Sequence, residues 1–227
     1  MLDCLRNSIA DHYLTPRTRY FKCKSKSDWT IRKFKSQYFI IRDIQKRMYP
    51  KPLNSYYPVL QWSTVRLMLI LQCIIFLKSQ STDFTNDFAQ ADIPSGEPFF
   101  IELPSYFKSD RDKGYVVLRL KKGLYGQAKT ARLWDEKLRN GLLERGFVMS
   151  KVDPFLLMSK NMIFVVYVDD CLFWASSQSD IDNVMKSFKE DGPSYIWKHS
   201  KGQSVSEILG IDIKILDDGG FQFFKLD

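Results

Sequence analysis

Apolar and polar residues change rhythm several times along this 227-residue chain, and each change marks an element. Thr30 to Ile44, TIRKFKSQYFIIRDI, alternates basic with apolar residues and then runs apolar, which predicts a strand pair. Pro50, Pro52 and Pro58 break that pattern. Ser63 then reads as the N-cap of a helix to about Leu77, and its apolar run LMLILQCIIFL predicts a buried element. FTNDFAQADI begins near a strand end and turns helical, and FFIELP, Phe99 to Pro104, is a short strand closed by proline. YVVLRLKKGLYG gives a strand and a glycine-flanked turn. TARLWDEKLRNGLLERGF follows as an amphipathic helix, its Leu133, Trp134, Leu138, Leu142 and Leu143 at helical spacing toward a core. FVVYVDDCLFW, Phe164 to Trp174, sets two carboxylates between runs of β-branched and aromatic residues, the pattern of a hairpin. Beyond it, Ser179 to Phe188 suits a helix and Ile208 to Leu216 a strand. The mixture predicts an α+β fold with helices packed on one face of an antiparallel sheet.

Composition narrows the class. At 44% hydrophobic, with seventeen Phe and eleven Tyr, the chain buries a core and is too aromatic for a disordered segment. The formal charge of +8 sits entirely in residues 1–50, where twelve Lys/Arg face four Asp/Glu; the remainder holds twenty-two of each. Within that remainder Lys108 to Arg145 is basic, eleven against five, and Lys151 to Asp227 acidic, eight against twelve. Two basic zones thus accompany an acidic one, as expected of a polyanion held by basic walls over an acidic centre, or of a merely soluble basic surface. Cys4, Cys23, Cys73 and Cys171 lack paired spacing, and with only His12 and His199 beside them they form no zinc set from close neighbours. A reducing compartment fits, MLDCLRNSIADHY is no signal peptide, and Leu67–Leu77 is too short to span a bilayer.

Two adjacent aspartates at a hairpin tip are ordinary turn residues, or, joined by a carboxylate from another strand, oxygen ligands for magnesium. STDFTNDFAQADI supplies that further carboxylate at Asp83. With YYPVLQWSTVRL, TDFTNDFAQADI, LKKGLYGQAKTARLW, GFVMSKVDPFLL and VVYVDD in this order, followed by EILGIDI, the chain resembles the reverse transcriptases of copia-type LTR retrotransposons from about Lys33 to Phe224. The resemblance implies a right-hand polymerase fold: a weakly patterned basic arm over 1–30, fingers over 31–80, and palm over 81–227 with a fingers-type insertion near 95–125. It places Asp83, Asp169 and Asp170 as catalytic carboxylates for two Mg2+ ions, with Mn2+ as a substitute. It puts Phe84, Phe88, Tyr125, Gly126 and Lys35 around the nucleotide, Arg42 as a weaker candidate there, and Leu209 and Gly210 under the primer end. Phe88 matches a ring that collides with a ribose 2′-hydroxyl; without the resemblance it reads as core, and GLYG as an ordinary turn. The implied partners are an RNA or DNA template-primer, deoxynucleoside triphosphates and other segments of the polyprotein. No membrane is implied, and the implied location is a cytoplasmic virus-like particle or the nucleus rather than secretion.

The chain departs from the family where Asp87 precedes the gate ring, where K-A-R reads Lys35, Ser36, Gln37, and where R-G-D reads Ile41, Arg42, Asp43. K-Q-A-P-R after the loop likewise becomes Ala128, Lys129, Thr130, Ala131, Arg132. These losses suggest an element under decay, with Asp87 repelling the triphosphate. Two rival readings follow, a polymerase-fold remnant that binds nucleic acid without chemistry and a nucleotide cyclase; the blocks outside the carboxylates argue against the second.

Overall fold

The computed structural model describes residues 2–5, 17–25, 29–41, 60–84, 86–96, 98–102, 117–167, 170–191, 195, 197–198, 207–208, 211–216 and 221–225. The chain divides into two compact units, Met1–Tyr56 with Phe88–Trp134, and Tyr57–Asp87 with Asp135–Asp227. Helices and antiparallel sheets mix in it, the expected α+β class. Among the described residues no helix is long and apolar enough to cross a membrane.

In the first unit, β1 (Leu2–Leu5), β6 (Val117–Leu120) and β5 (Phe99–Glu102) form an antiparallel sheet in that order. Ile40, Phe99, Ile101, Leu118 and Leu120 make its core, with Tyr38, Ile93 and Leu124 against it. The strand pair expected within Thr30–Ile44 is a single strand, β3 (Ile31–Ile40), and its partner β2 (Arg17–Ser25) comes from the stretch that reads as a weakly patterned basic arm. The physical reason is solvent: Tyr20, Phe21 and Phe34 are exposed, and a ribbon wetted on both sides needs no apolar alternation.

In the second unit, six antiparallel strands run in the order β11 (Trp197–Lys198), β4 (Lys78–Phe84), β10 (Asp170–Ala175), β9 (Met162–Tyr167), β8 (Leu156–Met158) and β7 (Val148–Met149). A smaller sheet joins β12 (Glu207–Ile208), β13 (Ile211–Ile215) and β14 (Phe221–Lys225). Helix α1 (Trp62–Ile75) is anchored by Trp174 Nε1 donating to Gln72 Oε1 at 2.7 Å. The last long helix, α4 (Gln178–Glu190), is anchored by Gln178 Nε2 donating to Gln80 Oε1 at 2.8 Å. Gln80 lies opposite Phe173, and Trp174 opposite Ser79. Neighbouring strand residues point to opposite faces, so the two helices take hold of both faces of the sheet rather than the single face expected.

Two further expectations change. Ser63 lies inside α1, whose N-cap is Gln61 without a side-chain cap. Asp153 takes that task instead: its Oδ2 accepts from Gln61 N at 3.2 Å and Thr64 Oγ1 at 2.6 Å, and its Oδ1 from Phe155 N at 3.0 Å. And α1 is buried on one face only, through Val65, Met68, Leu69 and Gln72, while Leu67, Ile70 and Ile74 are more than half exposed. In α3 (Thr130–Glu144), Trp134, Leu138 and Leu142 are buried as expected, but Leu143 is 39% exposed.

Candidate active site

The second unit holds the acidic positions. In the ladder between β4 and β10, Asp83 and Asp170 are directly opposed, and Asp170 also pairs with Tyr167 of β9. Across the other edge of β4, Asp83 faces Lys198 of β11. One row of the sheet therefore reads Lys198, Asp83, Asp170, Tyr167 over four strands. Opposed positions in an antiparallel pair lie on the same side of a sheet, so register alone brings together two of the three expected carboxylate positions. Asp169, Leu209 and Gly210 lie outside the described residues. Backing for the row is rigid: Leu172 and Trp174 on β10, Val165 on β9 and Thr82 and Phe84 on β4 are all buried. Phe84, at 2% exposure, is packed into the interior.

Hard carboxylate oxygens at opposed strand positions suit a divalent cation such as magnesium. Among the residues whose side chains are described, no three His, Cys, Asp or Glu converge; Asp83 and Asp170 are placed by register. Sequence patterning gave no sign of Lys198, because its partner strand lies more than a hundred residues earlier in the chain and β11 is two residues long.

The first unit holds the ring and loop. Phe88 sits on α2 (Asp87–Gln90), a single turn after β4. Its ring packs on Tyr125 with centroids 4.9 Å apart, and Tyr125 meets Phe39 of β3 at 6.1 Å. The loop 121–127 is locked to both neighbours by its backbone. Gly123 N donates to Ala91 O at 2.9 Å, Ile93 N to Lys121 O at 3.1 Å, and Ile40 N to Tyr125 O at 2.9 Å. Both glycines of GLYG are required by crowding: a Cβ on Gly123 would lie 2.7 Å from Phe88 O, and one on Gly126, at φ +82°, 2.1 Å from Ile40 O. Lys122 Nζ adds an ion pair to Asp92 at 2.5 Å and a hydrogen bond to Gln90 O at 3.3 Å.

Lys35 lies on β3 directly opposite Lys22, and Lys33 opposite Lys24. Opposed like charges destabilise a strand pair, so these lysine pairs cost the ribbon stability. Arg42 lies outside the described residues. Asp87, expected to face the triphosphate, is only 1% exposed in the first turn of α2.

Among the described residues, the groups whose ionisation is displaced lie elsewhere. Burial raises the Asp135 carboxyl above its ordinary range against the opposing pull of Arg139, 2.5 Å away. Burial likewise raises Tyr195, whose hydroxyl donates to Lys137 O at 3.1 Å. Arg145 ties that region together, reaching Gly141 O, Ser187 and Asp191 and lying 3.9 Å over the Phe188 ring.

An antiparallel sheet in which Asp170 of the YVDD segment opposes Asp83 makes this an α+β protein with paired acidic positions on adjacent strands. The reverse transcriptase (RNA-dependent DNA polymerase) family model matches residues 10–226, and the chain belongs to that family. It is similar to copia-type relatives from plants. The Retrovirus-related Pol polyprotein from transposon RE1 of Arabidopsis thaliana is 25% identical over 203 residues, 88% of this chain and 13% of that protein. The corresponding polyprotein from transposon TNT 1-94 of Nicotiana tabacum is 25% identical over 185 residues, 77% of this chain and 14% of that protein. The chain thus spans a small fraction of these relatives. A telomerase from Candida albicans, solved with the TWJ fragment of telomeric RNA, gives a TM-score of 0.48 at 9% identity. That match covers 96% of this chain and 47% of that one, and the score is too low to bear on fold or function.

Proposed function

We infer that the chain is the RNA-directed DNA polymerase portion of a copia-type polyprotein, with fingers and palm, extending a primer 3′-hydroxyl on an RNA or DNA template with deoxynucleoside triphosphates. The observation that carries this reading is the opposition of Asp83 and Asp170 in a chain of the reverse transcriptase family. Asp83, Asp169 and Asp170 would hold two magnesium ions. When bound, such a pair lowers the pKa of the attacking hydroxyl and stabilises the leaving oxygen.

The chain's own residues bind, orient and exclude. The basic ribbon, with Lys35 among its lysines, takes phosphate. Phe88 bars the ribose 2′-hydroxyl by collision. Gly126 lets the Tyr125 loop approach the base, and Leu209 and Gly210 support the primer end.

Template-dependent primer extension is the test. Asp83→Asn and Asp170→Asn should each lower extension about a hundredfold or more, since metal charge stabilisation is worth several kcal/mol and each 1.36 kcal/mol is tenfold. Template-primer affinity should stay nearly unchanged, and an equal fall in both would refute the assignment. The departures at Ser36 and Gln37 favour a second reading, a remnant that binds without chemistry; it prevails if the natural protein binds template-primer and never extends it.

A further inference from the structure

Four aromatic rings of the first unit touch in sequence, and the chain of contacts runs from the exposed ribbon to the ring read as the sugar gate. Tyr20 of β2 meets Phe39 of β3 edge-on at 6.1 Å, Phe39 meets Tyr125 at 6.1 Å, and Tyr125 meets Phe88 at 4.9 Å. The backbone of Tyr125 is fixed, because Ile40 N donates to its carbonyl and Gly126 lies against Ile40 O, so its ring is placed by the side chains packed on it. Phe88, in contrast, stands on a helix of four residues and is partly exposed. One turn of helix fixes a side chain poorly, so the plane of that ring is set by what packs on it. Its ring partner is Tyr125, and the ring on the ribbon side of Tyr125 is Phe39.

We propose that Phe39 is a positioning residue for sugar selection: through Tyr125 it holds the Phe88 ring in the plane that excludes a 2′-hydroxyl, which makes the β2–β3 ribbon part of the gate. This rests on the reading of Phe88 as that gate. Phe39 need not touch substrate. Without its ring, Tyr125 gains room to turn away from Phe88, and Phe88 gains room to yield to a ribose. The loss therefore appears as tighter ribonucleotide binding, with deoxynucleotide binding little changed. An aromatic contact is worth about a two- to tenfold factor in such a ratio.

The test avoids chemistry, so it does not depend on whether this copy extends primers. Template-primer ending in a dideoxynucleotide is bound to the protein, and the affinities of the complementary deoxynucleotide and ribonucleotide are measured by equilibrium titration. Phe88→Val should collapse their ratio. Phe39→Leu should lower it about two- to tenfold, Phe39→Tyr should restore it, and Phe39→Met, which nearly conserves volume, should behave as Leu if the leucine variant melts early. If Phe88→Val collapses the ratio and neither Phe39→Leu nor Phe39→Met moves it, the relay is overturned while the gate stands. If the natural protein shows no preference, or Phe88→Val leaves the preference intact, the gate reading fails and the relay with it. A fall in both affinities together, unrescued by Tyr, would make Phe39 merely structural and overturn the proposal.

Discussion

Gly126→Ala puts a methyl group where the structure has none to spare. The new Cβ would stand 2.1 Å from Ile40 O, 3.1 Å from Ile40 C and 3.2 Å from Ile40 N, at a φ of +82°. The left-handed backbone alone costs an alanine about 1–2 kcal/mol. Relief of the contact requires the loop to retreat by about 1 Å, which breaks the 2.9 Å bond from Ile40 N to Tyr125 O. Ile40 is 3% exposed, so its N–H would be left dry, at about 1–3 kcal/mol. The total of about 2–5 kcal/mol is a large share of the 5–15 kcal/mol that holds a typical domain. Gly146 provides the control, with φ +80° and nothing within 4 Å of its Cβ position, so Gly146→Ala should cost only the backbone share. Denaturant midpoints for both variants, with amide exchange at Ile40 as the local probe, measure the difference. Equal costs for the two, or unchanged protection of the Ile40 amide in Gly126→Ala, would refute the crowding argument.

Asp153→Ala should destabilise by about 3 kcal/mol or more, because Gln61 N, Thr64 Oγ1 and Phe155 N lose their acceptor together at about 1–3 kcal/mol each when dry. A urea midpoint within error of the parent would mean that water replaces the carboxylate. For Asp135 the sign follows from its raised value: the folded chain holds this proton more tightly than the unfolded one, so the contribution is fully present below the ordinary carboxylate value and is lost as pH rises through the folded value. The melting temperature of the parent should therefore fall relative to Asp135→Asn as pH rises from about 4 toward neutrality, and parallel curves would contradict the assigned burial.

Local features were the legible ones. The period of TARLWDEKLRNGLLERGF located α3 and three of its buried positions, because a helix face repeats within a few residues. The acidic positions were equally plain, since YVDD carries its own flanking strands and Asp83 lies near the end of β4. Distant satisfaction was not legible. Asp153 caps a helix about ninety residues before it, and no period or propensity in VDPFLL distinguishes such a cap from a turn aspartate. The run LMLILQCIIFL misled for the opposite reason: apolar on every side, it names no buried face, and only Gln72 meeting Trp174 does so. The ribbon strand β2 escaped because neither of its faces enters a core.

Asp87 shows how position in sequence and position in space part company. One residue from Phe88 in sequence, it is expected to repel a triphosphate, and at about 4 Å and an effective dielectric near 20 the cost would be roughly 4 kcal/mol. Burial at 1% exposure adds a second consequence, because replacing this carboxylate is then expected to disturb packing as well as to change nucleotide affinity. The ribbon carries a further departure. Gln37 lies opposite Tyr20, two positions from Lys35, whose partner is Lys22. An arginine at that place would add a fifth cation to a side that already carries two opposed lysine pairs, at a cost in strand pairing. Its absence relaxes the ribbon, and on the proposed reading of the ribbon as a phosphate holder it would also weaken that hold.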